Sequence, residues 1–380
     1  DNEYGAGGRP GRYNLYGYRS ERKKHRYQQT TGWFNTNRGH LANARESCRY
    51  LKARMEKQLT IMSQEFFRTV LGDKPTSEMG LTYSHEHIII DDSYVTAAHP
   101  EFLLNDVHKI SEELKNFYKA GGRTVVDTMP ANSGRNVLKS VEVSHVSGVN
   151  IIVPTGMHLE IYYPENHWRY HYSEDQLTEL FIDDIEKGID QFDYSGPFVK
   201  RTQHKAGLIK LATGDGPITP HQEKIFRAVV NAHLETGAPI LTHTNFGKQA
   251  LEQAKLFEKL GANLQHVVLS HVDRAKEEDY NRAVLDTGVR LEYDSAFRWK
   301  DSEPNYTLNL LENLLPQYPD QITLGMDMAK NAYWKSYGGS PGLNYLIETI
   351  PQFLKSKGLE EHYKKVFFDN PKKLYAFSQS

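Results

Sequence analysis

Residues 81–90 read LTYSHEHIII, an apolar stretch of the kind that forms a buried strand. Within it, His85 and His87 are separated by a single residue. Side chains alternate faces along a strand, so these two imidazoles lie on the same face. Two imidazoles on one face can bind one metal ion, but His-x-His pairs also arise by chance and as ordinary core histidines. The rest of the chain decides between these interpretations.

Seven further apolar runs follow, separated by segments with helical spacing of apolar residues, such as 221–236. Several of these segments end in a glycine just before the next run, as helices often do. Strands that alternate with helices predict a parallel sheet, and eight such units predict an α/β fold, a (β/α)8 TIM barrel of one domain. The seven runs are RTVVDTMP (123–130), NIIVPTGM (150–157), AGLIKLAT (206–213), PILTHT (239–244), HVVLSHVD (266–273), VRLEYDS (289–295) and ITLGMDM (322–328).

The first 54 residues differ in composition from the rest of the chain. They hold 12 Lys and Arg against 4 Asp and Glu, and they contain no Val and no Ile. Such a segment cannot bury a core, so we predict a disordered or loosely attached basic extension over residues 1–54 and the barrel domain over 55–380. Interleaved Tyr and Trp leave RNA binding as an alternative, but no RNA-binding motif is present, and a leader upstream of Met55 is favoured.

Charge and cysteine content narrow the function classes. The formal net charge of −2 gives no global attraction to nucleic acid or to a membrane surface. The single cysteine, Cys48, excludes an intrachain disulfide framework and fits a reducing compartment. No apolar run approaches the roughly 20 residues that a membrane span needs. We therefore expect a cytoplasmic protein with neither a nucleic-acid nor a membrane partner.

Potential metal ligands recur where the predicted strands end. In a TIM barrel the active site lies at the C-terminal ends of the strands. A lone strand histidine is usually a core residue, but a lysine in an apolar strand is harder to explain, because burying an unpaired ammonium is costly. Four imidazoles and a carboxylate suit zinc or another borderline divalent metal. The polar residues at these ends are His85, His87, Lys210, His243, His271 and Asp327.

From about residue 66 to the C-terminus, the sequence resembles the phosphotriesterase-related family of the amidohydrolase superfamily. Members of that family are binuclear metal hydrolases built on a (β/α)8 barrel. Every metal-ligand position of the family pattern is filled here, whereas residues 1–65 have no counterpart in it. The motifs that carry the resemblance are TVLGDKPTSEMGLTYSHEH (69–87), SGRNVLKSVEVSHVSGVNIIVPTGM (133–157), GLIKLATGD (207–215), PILTHT, VVLSHVD, LGMDMAK (324–330), SYGGSPGL (336–343) and NPKKLYAF (370–377).

The resemblance implies a metal-dependent hydrolase that holds two divalent metal ions, and the imidazole-rich ligand set favours zinc. It implies that His85, His87 and Asp327 bind one metal. It also implies that His243 and His271 bind the other. The paired histidines of the opening stretch then share a face because they share a metal.

The resemblance further implies that Lys210 bridges the two metals as a carbamate, N6-carboxylysine. Reaction with CO₂ turns a buried cation into an anionic oxygen ligand, which resolves the cost of burying the lysine. Bound cations lower the pKa of water and so supply a nucleophile near neutral pH. Asp327 is expected to accept the proton and to deliver it to the leaving oxygen. The expected activity is hydrolysis of an ester bond.

The substrate is expected to be a small-molecule lactone. Some members of the family open sugar lactones that carry a phosphate, and clustered cations suit such an anion, so we predict an anionic or phosphorylated sugar 1,4-lactone. A solvated rim is the alternative explanation for these cations. Tyr162 and Tyr163, in the insertion 158–172, either stack on the sugar ring or pack the loop. The cations that follow the predicted ligands are Lys248, Arg274, Arg298 and Lys300.

Other functions remain as alternatives. A phosphotriesterase acting on neutral organophosphates or an acyl-homoserine lactonase would need an apolar pocket or channel. A scaffold protein that had lost its chemistry would be expected to lack a ligand, and none is missing. A mononuclear deaminase-like relative is disfavoured because Lys210 stands where a bridging ligand is needed. Many related barrels form dimers, and a homodimer is accordingly one expectation.

Overall fold

The computed structural model describes residues 65–378, and the eight predicted runs each contain a strand. The third run is split in two at Val153, just before a proline that has no N–H for the ladder. The strands are β1 (Phe66–Thr69), β2 (Gly72–Pro75), β3 (Leu81–Glu86), β4 (Gly122–Asp127), β5 (Asn150–Ile152), β6 (Pro154–Gly156), β7 (Leu208–Thr213), β8 (Ile240–Thr244), β9 (Val267–Ser270), β10 (Arg290–Tyr293) and β11 (Ile322–Leu324).

The strands from β3 onward run parallel in chain order. β3, β4 and β5 form one hydrogen-bonded sheet, and β6 through β11 form a second. β1 and β2 form a separate antiparallel hairpin. The last strand returns to the first, because the N–H groups of Met326 and Asp327 both donate to the carbonyl of His85, at 3.2 and 3.0 Å. The fold is therefore the predicted (β/α)8 barrel.

Helices connect the strands, and their ends carry local stop and start signals. The longest α-helix of the described residues, Pro220–Thr236, begins with a capping box in which Thr219 and Gln222 each accept the other's backbone N–H. It ends at Gly237, whose φ of 71° is the left-handed conformation of a C-cap. The other α-helices are Tyr94–Ala98, Val107–Lys119, Val137–Ser147, Trp168–His171, Glu174–Glu186, Ala250–Leu260, Glu278–Leu285, Tyr306–Leu314, Tyr345–Lys357, His362–Lys364 and Asn370–Leu374.

A compact apolar layer fills the barrel below the predicted site. It includes Leu208 of β7, Leu241 of β8 and Val268 of β9, all fully buried. Residues two positions further along a strand share the same face, one layer higher. Lys210 therefore lies above Leu208, and His243 lies above Leu241. The strand periodicity alone carries these polar side chains to the C-terminal mouth of the barrel.

Two further expectations concern the N-terminal extension and membrane spans. The predicted extension over residues 1–54, with its boundary at residue 55, lies outside the described residues. No helix between residues 65 and 378 combines the length and apolar character that a bilayer crossing would require.

Gly156, at the end of β6, offers a test of how tightly the barrel is packed beside Lys210. It has a φ of 102°, and a Cβ there would lie 1.9 Å from the Lys210 carbonyl oxygen. Because that carbonyl accepts a hydrogen bond from Met157 and cannot move freely, Gly156→Ala is expected to lower the free energy of unfolding by about 3 kcal/mol or more.

Urea unfolding of the Gly156→Ala variant measures this loss. Gly214→Ala is the control, because nothing lies within 4 Å of a Cβ built at Gly214. It is expected to change stability by less than about 1 kcal/mol. Equal losses in the two variants would contradict the close packing of β6 against β7.

Candidate metal centre

The six predicted ligand residues lie together at the C-terminal ends of the strands. His85 is in β3, and His87 follows that strand directly. Lys210 is in β7 and His243 in β8. The remaining two, His271 and Asp327, follow β9 and β11 in left-handed backbone conformations, with φ of 68° and 49°. All are buried except His243, which is half-buried.

His85, His87 and Asp327 form the first group of candidate ligands. The Nε2 atom of His87 lies 3.0 Å from Asp327 Oδ1, and Nε2 of His85 lies 3.6 Å from the same oxygen. One ligand atom from each of the three residues lies within 4.8 Å of the others. Two imidazole nitrogens and a carboxylate oxygen at this spacing match the ligand preference of zinc and similar divalent cations.

His243, His271 and Lys210 form the second group. The rings of His243 and His271 have centroids 4.6 Å apart, and the ring of His271 lies 4.7 Å from that of His85. His243 Nε2 and Lys210 Nζ are buried, and neither has a hydrogen-bond partner within residues 65–378. Buried polar atoms are normally paired, so unpaired nitrogens beside a histidine cluster fit a bound cation.

Burial controls the protonation of these groups. It lowers the pKa of His85 and His243 well below the ordinary value, and it lowers the pKa of His271 to about 4. The imidazoles of His85, His243 and His271 are therefore neutral at neutral pH, which is the form that binds metal. Burial also lowers the pKa of Lys210 to about 7, although Asp327 and Glu292 oppose the shift. A large fraction of Lys210 is thus a neutral amine, the form that can react with CO₂.

Asp294 supports His271 from behind and was missed in the sequence analysis. One of its carboxylate oxygens, Oδ2, accepts a hydrogen bond from Nδ1 of His271, which leaves Nε2 free for a metal. Although burial raises it, the pKa of Asp294 is held well below its usual range by Arg274 and His271. The sequence did contain a signal, because Asp294 lies at the end of the seventh run, where strand-end polar residues were expected.

Two arginines hold the carboxylate of Asp327. Its Oδ2 accepts hydrogen bonds from Nη2 of Arg274, at 2.6 Å, and from Nη2 of Arg298, at 2.9 Å. Burial alone would raise the pKa of Asp327, but Arg298, His87 and Arg274 hold it well below the usual range. Asp327 is therefore ionised at neutral pH, with Oδ1 directed to His87 and Oδ2 to the arginines.

The predicted substrate-binding cations divide into two classes. Arg298 also donates to the backbone oxygens of Asp294, Met326 and Asp327, so it supports the strand ends. Lys248 and Lys300 lie at the surface, where each pairs with one aspartate. A cavity of about 490 Å³ is lined by Lys248 and Arg274 together. Lys248 and Arg274 thus line the same cavity. Anion binding by these two residues stays a prediction.

The tyrosines of the insertion after β6 also differ from each other. Tyr163 is buried and accepts the backbone N–H of His158 while donating to the Ala131 carbonyl, so it packs the loop. Tyr162 stacks on the His158 ring at 3.8 Å, and that ring lies 5.4 Å from His243. Tyr162 is consequently close to the candidate ligands. His158, which links the two, was not singled out from the sequence.

Comparisons with known proteins give the family context. The sequence matches the phosphotriesterase family over residues 65–375. It is 33% identical over 330 residues to a phospho-furanose lactonase of Mycoplasmopsis synoviae (strain 53), covering 84% of this chain and 94% of that protein. A lactonase structure from Listeria monocytogenes aligns with a TM-score of 0.76 and 31% identity, over 83% of this chain and 100% of that one. A phosphotriesterase homology protein from Escherichia coli, solved with phosphate in its active site, aligns with a TM-score of 0.71 and 28% identity, over 78% and 99%.

The two classes of cation predict different effects on stability. Arg298→Met removes the donors of three backbone carbonyls and one of the two arginines that bind Asp327, so it is expected to cost about 2–4 kcal/mol. Lys248→Met is expected to cost less than about 1 kcal/mol, because the Lys248 side chain is 56% exposed and forms a surface ion pair with Asp215. Denaturant unfolding of both variants measures the difference. Similar losses would contradict the structural role of Arg298.

Proposed function

The chain belongs to the phosphotriesterase family, and we propose that it opens the ring of an anionic or phosphorylated sugar 1,4-lactone with the help of two divalent metal ions. Its relatives include hydrolases that act on ester bonds, among them a lactonase and an aryldialkylphosphatase. The observation that carries this proposal is the 33% identity to a phospho-furanose lactonase over 94% of that protein. A second phospho-furanose lactonase, from Mycoplasmopsis agalactiae, is 31% identical over 92% of its length.

In the proposed centre, His85, His87 and Asp327 bind one cation, and His243 and His271 bind the other. Zinc is the metal that the four imidazoles favour. The unpaired buried nitrogen of His243 and the neutral imidazoles support this assignment. When bound, the two cations polarise the substrate carbonyl and lower the pKa of water near it.

Lys210 is proposed to bridge the two cations as N6-carboxylysine. Its amine is buried and has no hydrogen-bond partner in residues 65–378, and its pKa of about 7 leaves much of it neutral. A neutral amine adds to CO₂ by forming an N–C bond and releasing a proton, and the product carries a negative charge on two oxygens. The modified side chain would supply oxygen ligands where an unmodified ammonium would repel cations.

Asp327 is proposed to move the proton of the reaction. It is ionised, and Arg274 and Arg298 fix the orientation of its carboxylate. It accepts the proton of the attacking water and passes it to the ring oxygen that leaves the carbonyl carbon. In a lactone that oxygen stays in the product as an alcohol.

The substrate's anionic group is proposed to enter the cavity lined by Lys248 and Arg274. Lys248 is largely exposed, so its ammonium is available to a phosphate, and Arg274 connects the cavity to Asp327. Tyr162 presents a ring beside the candidate ligands. Arg298 and Lys300 are not among the residues that line this cavity, so its positive charges are those of Lys248 and Arg274. These charges favour an anionic sugar over the neutral organophosphates that the alternative function would require.

Three further expectations stay predictions. A cytoplasmic location rests on the cysteine count, and a homodimer rests on the resemblance to related barrels. The role of residues 1–54 rests on composition alone.

Lys210→Ala tests the metal centre. The wild-type protein, supplied with zinc and bicarbonate, is expected to contain about two metal ions per chain by elemental analysis. The variant is expected to contain one or fewer and to lose turnover, with no rescue by bicarbonate. Lys224→Ala is the matched control. Lys224 lies on helix Pro220–Thr236, donates to the carbonyl of Tyr172, and is proposed to bind no metal. A Lys210→Ala variant with two metals and full activity would exclude the bridging role.

Lys248→Met tests the anionic substrate. A charge-assisted contact contributes roughly 1.5–3 kcal/mol, so kcat/KM for a 5-phosphorylated sugar lactone is expected to fall about 10- to 150-fold, with little change for the unphosphorylated lactone. Asp215→Asn is the control, since it removes the ion-pair partner of Lys248 and keeps the ammonium. Equal losses on both lactones would contradict the phosphate-binding role, and a wild-type protein without lactonase activity would contradict the proposed function.

A further inference from the structure

We infer that Glu86 is a positioning residue that fixes Asp327 against the metal centre. Glu86 lies between His85 and His87 in sequence, is fully buried, and is not itself proposed as a ligand. This inference rests on the proposed function, because it concerns how the protein places one of the proposed ligands. Glu86, the middle residue of the His-Glu-His stretch, is thereby given a role distinct from that of the two histidines.

The carboxyl group of Glu86 holds the backbone on both sides of Asp327. Oε1 accepts the N–H of Met326 at 2.8 Å, and Oε2 accepts the N–H of Met328 at 3.3 Å. The neighbouring carbonyl of His85 accepts the N–H groups of Met326 and Asp327. Three consecutive residues after the last strand therefore donate four hydrogen bonds to two adjacent residues of the first barrel strand.

Asp327 requires such support because its backbone is in an unfavourable conformation. Its φ of 49° is left-handed, which a residue other than glycine adopts only when the surroundings impose it. Arg274 and Arg298 bind the side chain, and Arg298 also donates to the carbonyls of Met326 and Asp327, but an arginine has no acceptor for the N–H groups that flank Asp327. Glu86 is the side chain that bonds both flanking N–H groups, so it holds the turn itself.

The hydrogen bonds of Glu86 also link the first and last barrel strands, β3 and β11, which are not paired by a ladder. Among the described residues, β3 pairs with β4 and β11 pairs with β10, and no ladder joins β3 to β11. The other end of Glu86 is anchored, since its backbone carbonyl accepts the N–H of Thr128 at 3.0 Å. Glu86 thereby sets the distance between the histidines of the first strand and the carboxylate that follows the last strand.

Glu86→Gln isolates this contact with little change in shape. A glutamine has one acceptor oxygen, and its amide nitrogen would face a backbone N–H, so one flanking hydrogen bond is lost. Glu113 provides a matched control. It is also a buried glutamate, and its two oxygens accept the N–H groups of Ser336 and Leu343, both at 2.9 Å. Glu113 holds a later part of the loop that follows β11, and that later part carries no proposed ligand.

The experiment is a calorimetric titration of zinc into the full-length, metal-free protein, with thermal unfolding measured on the same samples. Glu86→Gln is expected to weaken zinc binding at one site by about 10- to 100-fold and to lower kcat more than it changes KM. Glu113→Gln is expected to lower the melting temperature similarly while keeping wild-type zinc affinity at both sites. Glu86→Asp, with a shorter reach, is expected to give an intermediate zinc affinity, and it replaces Glu86→Gln if that variant does not fold.

The outcomes separate this inference from the proposed function. A wild-type protein that bound no zinc would contradict the proposed function. Wild-type zinc affinity in both Glu86 variants, with losses of stability like that of Glu113→Gln, would overturn the positioning role and leave Glu86 as a structural cap.

Discussion

The lysine buried at the mouth of the barrel is the constraint on which the centre depends. Lys210 has no exposed surface, and its amine has no hydrogen-bond partner in residues 65–378. An ammonium in that position would be costly, which is why burial lowers its pKa to about 7. The strand periodicity places it above Leu208, among neutral imidazoles, so the position suits a group that can lose its charge. Under the proposed function, Lys210 becomes an anionic carbamate, so the buried ammonium is avoided and its oxygens bind the two cations.

Three buried acids near Lys210 differ in the direction of their pKa shifts, and the difference depends on whether an arginine lies beside them. Asp294 and Asp327 contact Arg274, and Asp327 also contacts Arg298, so the pKa of each is held below its usual range despite burial. Among residues 65–378, Glu292 has no arginine partner, and burial raises its pKa well above its usual range. Glu292 is thus protonated, whereas Asp294 and Asp327, which are paired with arginines, stay charged. This division leaves the charged carboxylates at Asp327 and directly behind His271, where cations are proposed to bind.

Much of this protein could be predicted from the sequence, because the relevant signals are local. The eight strands follow from apolar runs, and helix ends such as Gly237 follow from a residue that adopts left-handed backbone without strain. Strand periodicity places His85 in β3, Lys210 in β7 and His243 in β8 at one end of the barrel. Because the C-terminal ends of parallel strands meet at one mouth, the structure brings together the six residues predicted from their positions in the runs.

Tertiary structure alone decided how these residues are held. Hydrogen bonds join residues whose pairing no sequence period encodes. Arg298 donates to Asp327, His271 donates to Asp294, and the N–H of Met326, beside Asp327, donates to Glu86 across 240 positions. The tyrosines illustrate the same limit, since only the folded loop shows that Tyr163 packs the insertion while Tyr162 stacks beside the centre. The sequence by itself determined the fold and the positions of the candidate ligands, because strand period and helix caps act over a few residues. The closed barrel determined their protonation, orientation and support, because those depend on burial and on contacts between distant strand ends.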